Sequence, residues 1–350
     1  MALFKTFGKN PSGPELERIK SSPNYKNGVF QNLSMTDQLA KGASFPKIMW
    51  RFFTKPKNTK PPQPMFSVKT DLKALKTDKP VIVWFGHSSY FIRINGLNIL
   101  VDPVFSGYAS PFSFTGKNFK GANSYKVPDF PVIDLLIITH DHYDHLDYRT
   151  VMALKSSVRH ICTSAGVASH LVYWGVDPSK ITELDWWESK QFGGTGSAGV
   201  ELIAAPSRHF SGRSFSRNKT LWSSFILNAG NYRLYLGSDS GYDSHFKVIG
   251  DQYGPFDIAL LECGQYNEWW PYIHMMPEQT VQAAIDLKAK ILMPVHWGKF
   301  ALALHPWDEP IKRAVARANE LQVPWTMPMI GEPVILCASL PQAQWWLQLT

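Results

Sequence analysis

Six titratable side chains stand close together in the stretch LIITHDHYDHLD, which begins at residue 136. Three histidines and three aspartates lie within eight positions, directly after an apolar run that predicts a β-strand. On an extended segment, His140 and His142 would project to the same side, and Asp144 and His145 follow where the chain should turn. Such a loop could offer two nitrogens to one ion and a carboxylate plus a nitrogen to a neighbouring ion. The alternative interpretation is a polar surface loop.

Three further candidate ligands lie far away in the sequence, each at the end of a β-type run. LIAAPSRHF leads to His209, YRLYLGSD ends in Asp239, and ILMPVHWG contains His296. Active-site residues often gather at strand ends, because the loops converge there. A lone histidine at a strand end is more often structural, but three such positions beside the 140–145 cluster favour a metal site.

The elements that must position these residues begin at Val81. VIVWFG, YFIRIN and LNILVDP follow one another closely and predict an antiparallel meander. Later β-type runs alternate with helical patterns, among them DYRTVMALK, AGVASHLVYWG, PEQTVQAAIDLKAK and EPIKRAVARANELQ. Strand clusters followed by strand–helix alternation predict a layered α/β protein with its helices outside.

Residues 1–78 differ from the rest, and we predict an N-terminal extension there, followed by the main domain over residues 79–350. The extension is rich in Lys, Pro, Asn and Ser and contains the proline-basic stretch KPKNTKPPQP. In FPKIMWRFFTKPK, aromatic residues alternate with basic ones, which would suit a lipid interface. We favour the alternative, in which these aromatics pack on the main domain, and peripheral membrane contact stays open.

Composition sets broader bounds on function. The chain has 350 residues, of which 44% are apolar and 18% charged, so a folded domain is expected. The formal charge of +8 fits either solubility or attraction to phosphates. Three widely spaced cysteines without a CxxC pair predict buried free thiols and exclude a zinc ribbon. The sequence shows neither a signal-peptide pattern nor an apolar run of membrane-spanning length, so we expect a cytoplasmic protein, with peripheral membrane association as an addition.

The spacing of His140, His142, Asp144 and His145 resembles the HxHxDH signature of the metallo-β-lactamase superfamily. WFGHSSYFIRINGLNILVDPVFS, SRHFSGR, LWSSFIL, SDSGY and VHWGKFAL are similar to the branch that contains N-acylphosphatidylethanolamine-hydrolysing phospholipase D. The resemblance extends from about Val81 to Gln322 and implies a four-layer αβ/βα sandwich, an α/β (α+β) fold. One departure is Ser238, where that branch more commonly has Gly.

The resemblance also implies a set of metal ligands and two divalent ions, with zinc favoured over iron or manganese. His140, His142 and His209 would hold the first ion. Asp144, His145 and His296 would hold the second, and Asp239 would bridge the two. Asp141 lies in a variable position of the signature and is not counted as a ligand.

Three other residues gain expected roles in this way. Asp102 resembles the aspartate that orients a metal-binding histidine, and the alternative is a turn aspartate before Pro103. His87 resembles a motif histidine near the metals that is not itself a ligand. His274 aligns with a histidine that faces the substrate, where it would bind the phosphate or protonate the leaving group. A surface histidine is the alternative for His274.

The expected function is therefore that of a binuclear metal-dependent hydrolase acting on a phosphodiester, in particular a phospholipid of the N-acylphosphatidylethanolamine type. Two divalent ions that share a water lower its pKa from about 15.7 toward 7, so a bridging hydroxide would be the nucleophile. Hydrolysis of a lactone, amide or thioester is the alternative. A nuclease or a non-catalytic membrane-associated protein is less favoured, and no nucleic-acid partner is expected because no RNA-binding motif occurs. Relatives are compatible with a homodimer.

Overall fold

Two β-sheets form the centre of the computed structural model, which describes residues 5–193, 198–213 and 216–349. The first sheet uses strands β3–β8 and β15. In chain order these strands are β3 (Val81–Trp84), β4 (Tyr90–Ile94), β5 (Leu97–Val101), β6 (Ile133–Ile138), β7 (Val158–Ser164), β8 (Ile181–Leu184) and β15 (Pro333–Ile335). Their spatial order is β15-β3-β4-β5-β6-β7-β8. The pairs from β15 to β5 are antiparallel and those from β5 to β8 are parallel, so the predicted antiparallel meander is confirmed.

The second sheet has six strands in the order β14-β13-β12-β11-β10-β9. These are β9 (Ser189–Phe192), β10 (Val200–Pro206), β11 (Ser223–Ala229), β12 (Tyr232–Leu236), β13 (Ile258–Glu262) and β14 (Leu292–Val295). The strands from β9 to β12 pair antiparallel, and β12, β13 and β14 run parallel. In each sheet, the loops that follow the parallel strands therefore lie together at the carboxyl edge of those strands.

Helices cover the outer faces of the two sheets. Residues 79–350 are the region that the resemblance predicts to be the hydrolase domain, here called the hydrolase region. Its α-helices are α3 (Tyr148–Leu154), α4 (Ala168–Tyr173), α5 (His245–Tyr253), α6 (Pro277–Asp286) and α7 (Glu309–Glu320). Apolar residues of α3 and α4 share a core cluster with the outer face of the first sheet. Apolar residues of α5, α6 and α7 join the cluster that contains the second sheet. This arrangement confirms the predicted four layers, although helix α5 was not among the predicted helices.

Alternating side chains along the strands create the two cores. In β3, Ile82 and Trp84 belong to the cluster between the sheets, whereas Val81 and Val83 belong to the cluster beneath α3 and α4. This period of two is the expected consequence of extended backbone with both faces covered. Cys162 and Cys263 are buried, as predicted from their apolar surroundings, but Cys337 is exposed, so that part of the cysteine prediction is wrong.

Among the described residues of the N-terminal region are two α-helices of seven and nine residues and a short hairpin. These elements are α1 (Pro14–Lys20), β1 (Tyr25–Lys26), β2 (Val29–Phe30) and α2 (Phe45–Phe53). Ile19 and Phe30 are fully buried against Trp186 and Trp222 of the hydrolase region. In α2, Phe52 stacks on Trp270, but Trp50 and Phe53 remain 67% and 81% exposed. No helix within the described residues is long and apolar enough to cross a membrane.

Candidate metal centre

The HxHxDH stretch forms the loop between β6 and α3, at the carboxyl end of a parallel strand. The backbone N–H groups of His145 and Leu146 both donate to the carbonyl of His142, which folds the loop into a tight turn. Asp147 ends the loop by accepting from the backbone N–H of Arg149, as an N-cap of α3 does. His140 and His145 are fully buried. The loop is thus a fixed part of the interior and not the polar surface loop of the alternative interpretation.

The three distant candidates converge on this loop. His209 follows β10, Asp239 follows β12 and His296 follows β14, so the second sheet supplies all three. Each of them is almost fully buried. His296 has a backbone φ of 66°, and the nearby His87 and Asp102 have φ values of 55° and 40°. Non-glycine residues in this left-handed region are strained, and such strain concentrates at functional sites.

One group of donor atoms consists of His140, His142, His209 and Asp239. His142 Nδ1 lies 3.0 Å from His140 Nε2 and 3.2 Å from His209 Nε2. Asp239 Oδ2 is 3.9 Å from His140 Nε2 and 3.8 Å from His209 Nε2. Two nitrogen ligands at the usual zinc–nitrogen distance of about 2.0–2.1 Å are separated by roughly 3.4 Å in a tetrahedron, so the spacing suits a shared ion.

A second group consists of His87, Asp144, His145 and His296, and Asp239 faces it with its other oxygen. Asp239 Oδ1 lies 3.2 Å from His145 Nε2 and 3.1 Å from His296 Nδ1. Asp144 Oδ2 is 3.6 Å from His145 Nε2. Asp239 therefore lies between the two groups, which is the position expected of a bridging carboxylate.

Several buried polar atoms of this cluster have no hydrogen-bond partner among the described residues, including His142 Nε2, His145 Nε2, Asp239 Oδ1 and His296 Nε2. A buried polar atom without a partner is costly unless an ion or water satisfies it. Imidazole and carboxylate are also the donors that zinc, iron and manganese accept. The residues present therefore fit a pair of divalent ions.

Protonation behaviour agrees with this fit. Burial, followed by the neighbouring histidines, holds the pKa of His140 well below its usual value, and burial does the same for His209 and His296. These rings are neutral and can bind a cation. Burial also disfavours a charge on His145, but Asp239, Asp144 and Asp102 raise its pKa well above the usual value. A position that attracts a proton so strongly is electrostatically suited to a metal cation.

Hydrogen bonds fix the orientation of the candidate ligand rings. His145 Nδ1 donates to Asp102 Oδ2 at 2.7 Å, and Asp102 also accepts from the backbone N–H and the hydroxyl of Thr139. This directs Nε2 of His145 toward Asp239. His209 Nδ1 likewise donates to the Ile273 carbonyl at 2.8 Å. His87 Nε2 donates to Asp144 Oδ2 at 2.9 Å. Asp102 and His87 thus each hold one candidate ligand, His145 and Asp144 respectively, through a hydrogen bond.

Glu262, at the end of β13, is a site residue that the sequence analysis missed. It is 1% exposed, and its Oε2 accepts from His274 Nδ1 at 2.6 Å. Its Oε1 accepts from the backbone N–H groups of Ser240 and Met275, both at 3.0 Å. Burial raises the pKa of Glu262, and Glu262 raises the pKa of His274 against the effect of burial. The signal that the sequence offered was a single carboxylate at the end of an apolar β-type run.

A cavity of about 390 Å³ opens over the two groups. His142, Asp144, His209, Asp239 and His296 supply its polar floor, and His274 lies at its side. Its apolar wall consists of Leu39, Ile48, Phe210, Trp270, Ile273 and Leu302. Leu39 and Ile48 come from the N-terminal region, which therefore completes the cavity. Such a combination of apolar walls and a few convergent polar groups is typical of a small-molecule site.

Comparison with known proteins agrees with the fold. The family model described as "Beta-lactamase superfamily domain" matches residues 97–297, more than half of the chain. A protein of Mycobacterium tuberculosis described as uncharacterized is 37% identical over 332 residues, covering 93% of this chain and 88% of that protein. N-acyl-phosphatidylethanolamine-hydrolyzing phospholipase D 1 of Caenorhabditis elegans is 32% identical over 230 residues, covering 63% of this chain and 64% of that protein.

Among solved structures, Igni18, a metallo hydrolase from Ignicoccus hospitalis, is similar with a TM-score of 0.56 and 19% identity, covering 73% of this chain and 97% of that one. The chain belongs to the β-lactamase superfamily. By family and fold it is a metal-dependent hydrolase.

Replacing Asp239 by Asn should remove the negative charge that faces both ligand groups. We expect the metal content, measured by mass spectrometry of dialysed protein, to fall from about two ions per chain to one or fewer. Asp243→Asn is the matched control, because Asp243 lies in the same loop but pairs with Arg208 at 3.6 Å. Parental metal content in Asp239→Asn would contradict the bridging position.

Proposed function

We propose that the protein is a binuclear metal-dependent hydrolase of phosphodiesters whose substrate is a phospholipid of the N-acylphosphatidylethanolamine type. The observation that carries this proposal is the cavity, in which a floor of imidazoles and carboxylates meets a wall of aliphatic and aromatic side chains. A phosphodiester with long acyl chains has the same two parts. The relative in Caenorhabditis elegans, whose name states this substrate, supports the choice.

The chain's own residues would hold the two ions in the two groups described above. His140, His142 and His209 would hold the first ion, Asp144, His145 and His296 the second, and Asp239 would bridge them. When bound, two such ions supply Lewis acidity and an activated water. Asp102 accepts a hydrogen bond from the Nδ1–H of His145, so the lone pair of Nε2 remains available to the ion. His87 holds Asp144 in the same way, through one carboxylate oxygen.

His274 would bind and protonate the substrate. Its Nδ1–H is engaged by Glu262, so its Nε2 is the nitrogen available to the cavity that the ring lines. A proton on Nε2 can donate to a phosphate oxygen and then move to the departing alkoxide as the phosphorus–oxygen bond breaks. Because Glu262 raises the pKa of His274, this proton is retained near neutral pH.

The substrate class can be tested by a screen of the metal-loaded protein. We expect hydrolysis of N-acylphosphatidylethanolamine and of other lipid phosphodiesters, weaker hydrolysis of bis-aryl phosphodiesters, and loss of all activity on chelation. The release of phosphatidic acid would show which phosphorus–oxygen bond breaks. Activity confined to lactones, amides or thioesters would replace the phosphodiester class by the alternative stated above.

The role of His274 is tested by His274→Ala. General acid catalysis typically contributes 10²–10⁴-fold, so kcat should fall by about 100-fold or more while metal content stays parental. Loss of metal in this variant would instead make His274 a ligand. His305→Ala is the control. His305 lies in the neighbouring loop, where its Nε2 accepts from the backbone N–H of Gln265 and its Nδ1 donates to the Pro306 carbonyl.

We further propose that α2 rests on a phospholipid bilayer. Trp50 and Phe53 are exposed on this helix together with Lys47 and Arg51, so the surface combines aromatic and cationic side chains. Ile48 of the same helix lines the cavity. Contact with a bilayer through α2 would bring the mouth of the cavity close to the lipid from which a substrate is taken.

Trp50→Ser/Phe53→Ser should therefore weaken liposome flotation by roughly tenfold or more, since two large side chains lose apolar burial. Hydrolysis of a soluble bis-aryl phosphodiester should stay parental. Phe114→Ser is the control, because Phe114 is 75% exposed but lies outside α2. Unchanged flotation of the double variant, or an equal loss in the control, would count against contact through α2.

A homodimer and a cytoplasmic location stay predictions.

A further inference from the structure

Residues 5–9 form a short segment, here called the clasp, which lies against the back of the HxHxDH loop. Three side chains of the hydrolase region hold its backbone. Arg213 Nε and Nη2 donate to the Thr6 carbonyl at 3.2 and 2.8 Å, and Trp174 Nε1 donates to the Lys5 carbonyl at 2.6 Å. The backbone N–H of Lys9 donates to His170 Nδ1 at 3.0 Å. These hydrogen bonds all engage the main chain of the clasp, and the ring of Phe7 adds an edge contact with Phe112.

Two of these side chains, those of Arg213 and His170, also bind the HxHxDH loop. Arg213 Nη1 donates to the carbonyls of Asp141 and Leu146, at 2.6 and 2.7 Å. These two carbonyls lie on either side of the segment that carries His142, Asp144 and His145. Arg213 is 4% exposed, and its guanidinium lies over the rings of Tyr143 and Trp174. One buried guanidinium therefore joins the clasp to both ends of the ligand-bearing turn.

His170 provides a second connection, through Asp141. Because Nδ1 of His170 accepts from Lys9, its Nε2 carries the proton and donates to Asp141 Oδ2 at 3.2 Å. Asp141 stands between the candidate ligands His140 and His142. Its carboxylate also accepts from the backbone N–H of Gly212 at 2.7 Å and from the Thr220 hydroxyl at 2.9 Å. Asp141 thereby ties the HxHxDH loop to the loop that follows His209.

We propose that the clasp, acting through Arg213, His170 and Asp141, positions the HxHxDH loop and so sets how long the protein retains metal. The inference rests on the metal centre of the proposed function but assigns to Asp141, His170 and Arg213 a part that family and fold do not. None of the three touches substrate or metal in this scheme, so they are positioning residues. Groups that orient metal ligands typically change metal affinity by about 10–100-fold when altered.

Gly8 allows the clasp to be displaced without changing any residue of the hydrolase region. Its φ is 70°, and a methyl group there would collide with His170 Nδ1. Gly28 offers a matched control, because its φ is 78° and a methyl group would meet nothing within 4 Å. Gly8→Ala and Gly28→Ala therefore introduce similar backbone strain, but only Gly8→Ala pushes the clasp from His170.

The experiment compares the two full-length variants with the parent after loading with zinc. Zinc release into excess chromophoric chelator gives the retention time, and trypsin cleavage after Lys5 and Lys9 reports whether the clasp is displaced. We expect Gly8→Ala to be cleaved faster and to release zinc about tenfold faster than the parent. Gly28→Ala should match the parent in both measurements.

Parental zinc release by Gly8→Ala overturns the proposal, whether or not the clasp becomes cleavable. If Gly8→Ala does not fold, His170→Leu replaces it, because leucine removes both hydrogen bonds of the ring and leaves every candidate ligand in place. Parental release by a folded His170→Leu overturns the proposal equally. A parent protein that takes up no zinc, iron or manganese would sink the proposed function itself, and this result is distinct from retention that is insensitive to the clasp.

Discussion

The carboxylate of Asp239 lies within 4 Å of four imidazoles, those of His140, His145, His209 and His296. All five side chains are buried where the strand ends of two sheets meet, and several of their polar atoms lack partners among the described residues. Burying such a set without compensation is unfavourable, and a cation held between them removes the penalty. The fold can hold this cluster because its members come from four loops, and each loop follows a packed strand that keeps it in place.

The seven candidate ligands could be predicted from the sequence because each lies in a loop that follows an apolar β-type run. Loops at the ends of packed strands converge, so their side chains come close together. The antiparallel meander and most helices of the hydrolase region follow from the same periodicity, whereas the order of the strands in the two sheets does not. Asp102 and His87 could be placed by resemblance, and the structure adds their partners, His145 and Asp144. Each of these features depends on residues that are close together in the sequence, so short sequence patterns are enough to predict it.

Features that depend on distant contacts escaped the sequence. Glu262 ends an otherwise apolar strand, and only the fold brings it to His274. Arg213 and His170 have no sequence neighbours that indicate their partners, and both are buried against residues more than 150 positions away in the N-terminal region. Leu39 and Ile48 lie in a stretch with weak periodicity, yet they form part of the cavity wall. A segment without a regular pattern can thus be essential to a site that other segments define.

The division of the ligand set between the two sheets has a consequence for how the protein matures. His140, His142, Asp144 and His145 follow a strand of the first sheet, whereas His209, Asp239 and His296 follow strands of the second. His209, Asp239 and His296 all lie in the second half of the chain, so neither proposed coordination sphere nor a metal cross-link between the sheets can form on a nascent chain that is only half made. Metal would then bind to a nearly complete and largely folded chain. Its binding would cross-link two sheets that hydrophobic contact had already packed together.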